Sequence, residues 1–280
     1  MCVPGCMETM HNALPRKPLP HAGAGPRRAA ANRASTGTVA QRLACAAVGP
    51  FESVLDLTHT LSPEFPTFPG DPPFDVRPYA KLSEDGYNMN AWQLVEHSGT
   101  HLDAPIHFSD DGVSVDALEA SALVVALAVV DVTAKAQGNA DYRLSRDDLA
   151  AWEERYGTLP RGGCVAMHSG WGRLATADPA RFIGRDDDGT LHFPGIAPEA
   201  ALWLLQERQI VGLAVDTLSL DNGPSRDFPT HHVWLPTGRW GLENVANLDQ
   251  APATGAILVV GLPKVKGATG APVRLLALIP

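Results

Sequence analysis

The eleven residues His97-Ser-Gly-Thr-His101-Leu-Asp103-Ala-Pro-Ile-His107 place three imidazoles and a carboxylate in one short stretch. Imidazole nitrogen and carboxylate oxygen, with no cysteine nearby, are the donors of a zinc, manganese or iron site, and composition does not choose among these metals. All four groups occupy odd positions. An extended chain would therefore project them from one face, and Leu102, Ala104, Ile106 and Phe108 from the other. At roughly 3.3 Å per residue, His101 and Asp103 stand about 6.6 Å apart, close enough to grip one ion, whereas His97 and His107 stand about 33 Å apart. The strand has to bend. Gly99, free to adopt positive φ, and Pro105, which lacks an N–H for a ladder, sit where bends would bring the outer histidines back. One histidine alone reads as a packed or surface residue; three on one face with an aspartate read as a metal site.

This run resembles the signature of the cyclase family of metal-dependent hydrolases, whose best-known members are bacterial kynurenine formamidase and isatin hydrolase. Asp56-Leu-Thr-His-Thr-Leu-Ser-Pro63, continuing to Phe68-Pro-Gly-Asp-Pro-Pro-Phe74, resembles the family's opening strand and proline-rich loop. Phe193-Pro-Gly-Ile196, Asp216-Thr-Leu-Ser-Leu-Asp221, and Phe228-Pro-Thr-His231 through Glu243-Asn244 complete the order, so that the resemblance covers most of residues 51 to 280. It implies metal ligands at His97, His101 and Asp103, with Asp103 able to bridge to a second metal position. It places the second half of the site at His231 and Glu243, whose spacing fits the family pattern where His232 would not, and leaves His232 in reserve. It implies His107 as general acid/base, a divalent zinc or manganese cofactor of one or two ions, and homodimers or homotetramers whose loops close a neighbour's pocket.

These roles make chemical sense. A cation held by imidazoles and carboxylates lowers the pKa of bound water from about 15.7 towards 7 and polarises a carbonyl. A histidine near the ion but not bound to it, with an ordinary pKa near 6.5, can take the water's proton and return it to a leaving nitrogen. The reaction expected is hydrolysis of an arylformamide or cyclic amide. A cyclase, dehydratase or lactone hydrolase acting on a polyketide-like substrate is the alternative, and a metal-stabilised binding module without turnover is the reading from another class. A structural site closes every position with protein ligands and has no use for an acid/base, which argues against the last. Phe68, in the proline-rich loop, and Trp92, just ahead of the ligands, are the candidates for a pocket wall stacking on an aromatic substrate.

The elements that must position these groups are legible in outline. Leu123–Val132, Gly163–Met167, Ile210–Val215 and Ala256–Val260 are apolar runs rich in β-branched residues and read as buried strands. Ser145-Arg-Asp-Asp-Leu149 opens a helix with a serine cap and acids in the first turn, and Pro198–Arg208 has apolar residues at helical spacing. Strands alternating with helices indicate an α/β fold, which the resemblance refines to a swivelling β/β/α domain, a small barrel-like sheet flanked by helices. Asp216 and Asp221 follow a strand. They could orient ligand histidines through hydrogen bonds or simply form turns, and they stay outside the catalytic set.

With 280 residues, 45% of them hydrophobic, the chain can bury one substantial core. The first fifty residues carry six basic side chains against the single acid Glu8, a net +5 that leaves −14 for the remaining 230. They read as a disordered tail. The acidic remainder excludes nucleic acid as a partner, and no run approaches the ~20 apolar residues of a membrane span. Of four cysteines only Cys164 falls in the domain, as core filling, so no disulfide framework is available and a reducing cytoplasm is expected. Added material at Lys135–Pro160 and Leu174–His192, relative to compact formamidases, leaves the substrate open.

Overall fold

The structure is a computed structural model and describes residues 50 to 280; the expected N-terminal tail lies outside the described residues. Among the described residues thirteen strands occur in chain order: β1 (Ser53–Asp56), β2 (Asp75–Ala80), β3 (Met89–Gln93), β4 (His101–Asp103), β5 (Val124–Asp131), β6 (Arg143–Leu144), β7 (Cys164–His168), β8 (Gly195–Ile196), β9 (Gly212–Val215), β10 (Trp240–Glu243), β11 (Ile257–Gly261), β12 (Gly270–Pro272) and β13 (Arg274–Ile279). Nine of them form one curled, mixed sheet in the order β1-β13-β11-β5-β7-β9-β10-β4-β12. The centre, β5-β7-β9-β10, is parallel, and both flanks are antiparallel.

The continuous apolar runs follow from burial of this parallel centre on both faces. On β5, Leu127 and Val129 enter one core while Ala128 and Val130 enter the other; on β7, Cys164 and Ala166 part in the same way from Val165 and Met167. The first core lies within the curl of the sheet, joined by Leu57, Leu102, Leu242 and Leu258. The second lies under helices at Arg146–Tyr156 and Pro198–Trp203, the latter continuing as a π-turn through Arg208. Ser145 caps the first of these helices reciprocally with Asp148, which satisfies two otherwise orphaned backbone donors. Cys164 is fully buried, and burial pushes its thiol pKa up.

The strands begin and end within about two residues of the apolar runs. Absent from that reading is the β2–β3 hairpin, a two-stranded sheet of its own whose residues are mostly exposed. The segment Leu174–His192 forms two short helices, and its Phe182 and Leu191 pack in a third cluster with Phe65, Trp171 and Leu218. Among the described residues no helix is long and apolar enough to cross a membrane.

Candidate metal centre and active site

Two bends and one register assemble the site. Gly99 takes φ +64, and after the three residues of β4 the chain enters a 3₁₀ turn, Pro105–Phe108, with Pro105 at its start. These bends carry His97 and His107 together: their rings stack 3.9 Å apart at 26°. The turn also breaks the alternation of an extended chain. Leu102 and Ala104 enter the first core as expected, but Phe108 leaves that face; half-buried, it packs against the edge of the second core, lines the cavity and stacks on His231, centroids 4.7 Å apart.

Glu243, some 140 residues beyond the first histidines, arrives through strand pairing. β4 lies antiparallel to β10 with His101 opposite Glu243, and directly opposed residues project from the same face of a sheet. On the other side of β4, Gly270 opposes Asp103. A Cβ at Gly270 would fall 2.6 Å from His97 Cε1, so only glycine leaves that ring its place. His231 comes from the short helix Pro229–Trp234, entered through Phe228 at φ +46, a strained conformation for a bulky residue.

The result is a closed quadrilateral in which each carboxylate divides its oxygens between two histidines. Asp103 Oδ1 lies 3.3 Å from His101 Nε2, and Oδ2 lies 3.5 Å from His231 Nε2. Glu243 Oε2 and Oε1 lie 3.4 and 3.1 Å from the same two nitrogens. His97 Nδ1 adds a 2.6 Å contact to Asp103 Oδ1. All but His97 are buried, and within this cluster His101 Nε2 and Asp103 Oδ2 have no hydrogen-bond partner. Buried polar atoms left unpaired are costly, and here they converge on one point where a cation would satisfy them. His101, Asp103 and Glu243 form one set spaced for an ion, and His97, Asp103 and His107 form a second that shares Asp103.

The electrostatics carry the same signature. Burial would lower the His101 pKa, but the Asp103 and Glu243 carboxylates 3.3 and 3.4 Å from its Nε2 reverse this and push it up to about 10. His231 is likewise raised, its burial outweighed by Asp103, Asp221 and Glu243. Burial works to raise Asp103, but the three histidines hold it well below the usual carboxylate range. The centre demands positive charge. His107 goes the other way: burial first, then the charges of His97 and His231, bring it down to about 4 against the opposing pull of Asp103 and Glu243.

Of the two aspartates left outside the site, Asp221 belongs to it. Its Oδ2 lies 2.6 Å from His231 Nδ1, and its carboxylate also accepts the backbone N–H of Thr230 and of His231. It fixes the tautomer that turns Nε2 to the centre. The Phe-Pro-Gly motif explains how Asp221 gets there, since a Cβ at Gly195 would fall 2.2 Å from Asn222 N and 2.4 Å from Asp221 C. Asp216 touches no ligand; it accepts from the Ser169 hydroxyl and from the backbone N–H groups of Ser169, Gly170 and Trp171, holding that loop. His232 is exposed and stays off the centre.

A cavity of about 310 Å³ opens over the quadrilateral. Its aromatic walls are Phe68, Phe108 and Phe228. Phe68 is thus a cavity wall. Trp92 is not: it is 71% exposed on β3, where Ala91 turns inward instead, and its ring lies 6.1 Å from that of Phe74. Phe228 was legible, standing three residues before His231, but nothing in its spacing separated a wall from a core residue.

A family model described as "Putative cyclase" matches residues 55–222. The chain belongs to the cyclase family. Among curated cyclase-family relatives, isatin hydrolase of Roseibium aggregatum is 34% identical over 245 residues, spanning 81% of this chain and 92% of the relative. Kynurenine formamidase of Salinibacter ruber is 28% identical, spanning 79% and 95%. Among solved cyclase-family folds, isatin hydrolase A from Labrenzia aggregata bound to benzyl benzoate superposes with a TM-score of 0.77 at 34% identity, covering 81% of this chain and 93% of that one. An isatin hydrolase bound to the product analogue thioisatinate gives the same TM-score at 32% identity, covering 81% and 92%.

Proposed function

We propose that this cyclase-family chain is a metal-dependent hydrolase of a non-peptide amide C–N bond, in an aryl amide or a cyclic amide. The observation that carries the reading is the quadrilateral of His101, Asp103, His231 and Glu243, with two buried atoms unpartnered, at the floor of an aromatic-walled cavity. Its likeness to isatin hydrolase and kynurenine formamidase supports the bond type.

These residues, with His97, would hold one or two divalent ions, zinc or manganese by donor type. A bound ion supplies an acidified water and polarises the substrate carbonyl. His107 lies beside the ligands against His97 and, with its pKa brought down to about 4, is a free base at neutral pH. It takes the proton from the attacking water and delivers it to the nitrogen as the C–N bond breaks, leaving a carboxylic acid and an amine. Phe68, Phe108 and Phe228 exclude water and pack on an aryl ring. Small molecules, not nucleic acid or membrane, are the partners of so enclosed and acidic a site, and the cytoplasm is the compartment we assign. The assembly is a homodimer or homotetramer, supported by the β2–β3 hairpin, whose exposed Tyr79, Met89 and Trp92 are apolar surface for a second copy.

The test is a turnover panel of isatin, N-formylkynurenine and aryl lactones, run on protein of measured metal content. Amide hydrolysis abolished by chelation is expected. Turnover of lactones alone would shift the reading to an ester-type or cyclase chemistry, and metal uptake without any turnover would leave a binding module.

A further inference from the structure

The three histidines of the metal centre do not present the same nitrogen, and hydrogen-bond accounting shows why. His101 Nδ1 donates to the Gly99 carbonyl at 2.8 Å, a carbonyl also held by Asn244 Nδ2 at 2.9 Å. His231 Nδ1 donates to Asp221. Both rings therefore turn Nε2 to the centre.

His97 is reversed. Its Nε2 lies 3.1 Å from Thr269 Oγ1, and its Nδ1 faces Asp103. The Thr269 hydroxyl has one hydrogen, and that hydrogen goes to Glu96 Oε2 at 2.5 Å, the same oxygen that accepts the Thr269 backbone N–H at 2.9 Å. Only lone pairs remain on Oγ1, so the hydrogen between it and His97 must belong to Nε2. The Nδ1 lone pair then points at a carboxylate oxygen 2.6 Å away, a contact that a shared cation or proton has to bridge.

We infer that Glu96 and Thr269 are positioning residues that hold His97 as its Nε2–H tautomer, so that His97 offers Nδ1 to the ion where His101 and His231 offer Nε2. The arrangement suits the chain path. His97 lies before the Gly99 bend, and the nitrogen nearer its backbone reaches the centre. The same bond fixes the ring plane against which His107 stacks, so Thr269 sets both a ligand and the wall beside the proposed base.

This inference rests on the metal-centre reading, and the experiment separates the two. Zinc and manganese affinities would be measured by competition titration on the full chain and on Thr269→Val, Thr269→Ser and Glu96→Gln. Zinc-loaded wild type labelled with ¹⁵N-histidine would be read by NMR for the protonated nitrogen of each ligand. Wild type should show one ligand histidine protonated at Nε2 and two at Nδ1. Thr269→Val should lose the Nε2–H signature and bind metal about 10- to 100-fold more weakly, the usual effect of removing such a partner, with Thr269→Ser close to wild type. Three ligand histidines all protonated at Nδ1 in the zinc-loaded wild type would overturn the inference without any variant, as would a folded Thr269→Val that binds metal like wild type. A wild type that binds no metal would overturn the metal-centre reading itself.

Discussion

His107 and Asp221 are two polar residues beside the same cluster of candidate ligands, and they should fail differently. Replacing His107 by Ala is expected to lower kcat by about 10²- to 10⁴-fold, the usual contribution of general acid/base catalysis, with metal retained. Because the base must be unprotonated and its pKa is brought down to about 4, the acid limb of kcat/KM should lie well below the 6.5 of a free histidine. A pH–rate profile beside metal analysis checks both. Loss of metal from His107→Ala would make it a ligand of the set it forms with His97 and Asp103. Asp221→Asn should instead weaken metal about 10- to 100-fold, because the amide no longer takes the charge of the hydrogen bond that fixes His231. The donor residues were legible because imidazoles and carboxylates crowd into one motif and recur at a fixed spacing. The side chains that aim them were not, since an aspartate that orients a histidine and one that closes a loop look alike in sequence; Asp221 and Asp216 are such a pair.

At the scale of elements, the apolar runs gave the central strands because a parallel sheet buried on both faces leaves no alternation to interpret. What they could not give was the pairing of β4 with β10, which joins segments far apart in sequence, or the turn at Pro105 that takes Phe108 off the face shared by Leu102 and Ala104 and brings it to the cavity. Trp92 stands off the cavity for a related reason: closeness in sequence to the ligands does not show that the segment before them pairs off into an exposed hairpin of its own. Gly195 tests how tightly these pieces are coupled. Gly195→Ala has to push the Asp221–Asn222 backbone away, which should cost about 1 to 3 kcal/mol as overpacking does and loosen metal binding through His231. Denaturant unfolding read beside metal titration measures both, and a variant that lost stability but kept wild-type affinity would uncouple the motif from the site.

For the whole molecule, the charge of the centre links metal uptake to protons. His101, pushed up to about 10, carries a proton at pH 7 in the metal-free protein and must shed it to coordinate, so binding should release protons and weaken as pH falls. Calorimetry in two buffers of different ionisation enthalpy measures that release; identical heats would contradict it. Since only the folded chain assembles the ligands, free metal at a hundredfold excess over Kd should add about 2.7 kcal/mol of stability, which chelation removes as a fall in the melting temperature.

The pairing of β4 with β10 has a further consequence for the order of events when the chain folds. The strands that carry His101 and Glu243 are neighbours in the sheet but remote along the chain, so their contact closes a long loop and is entropically late. An ion that needs both strands finds no binding partner in the early collapsed chain. Metal should therefore leave the refolding rate almost untouched and slow unfolding alone, acting as a clasp fastened after the garment is on.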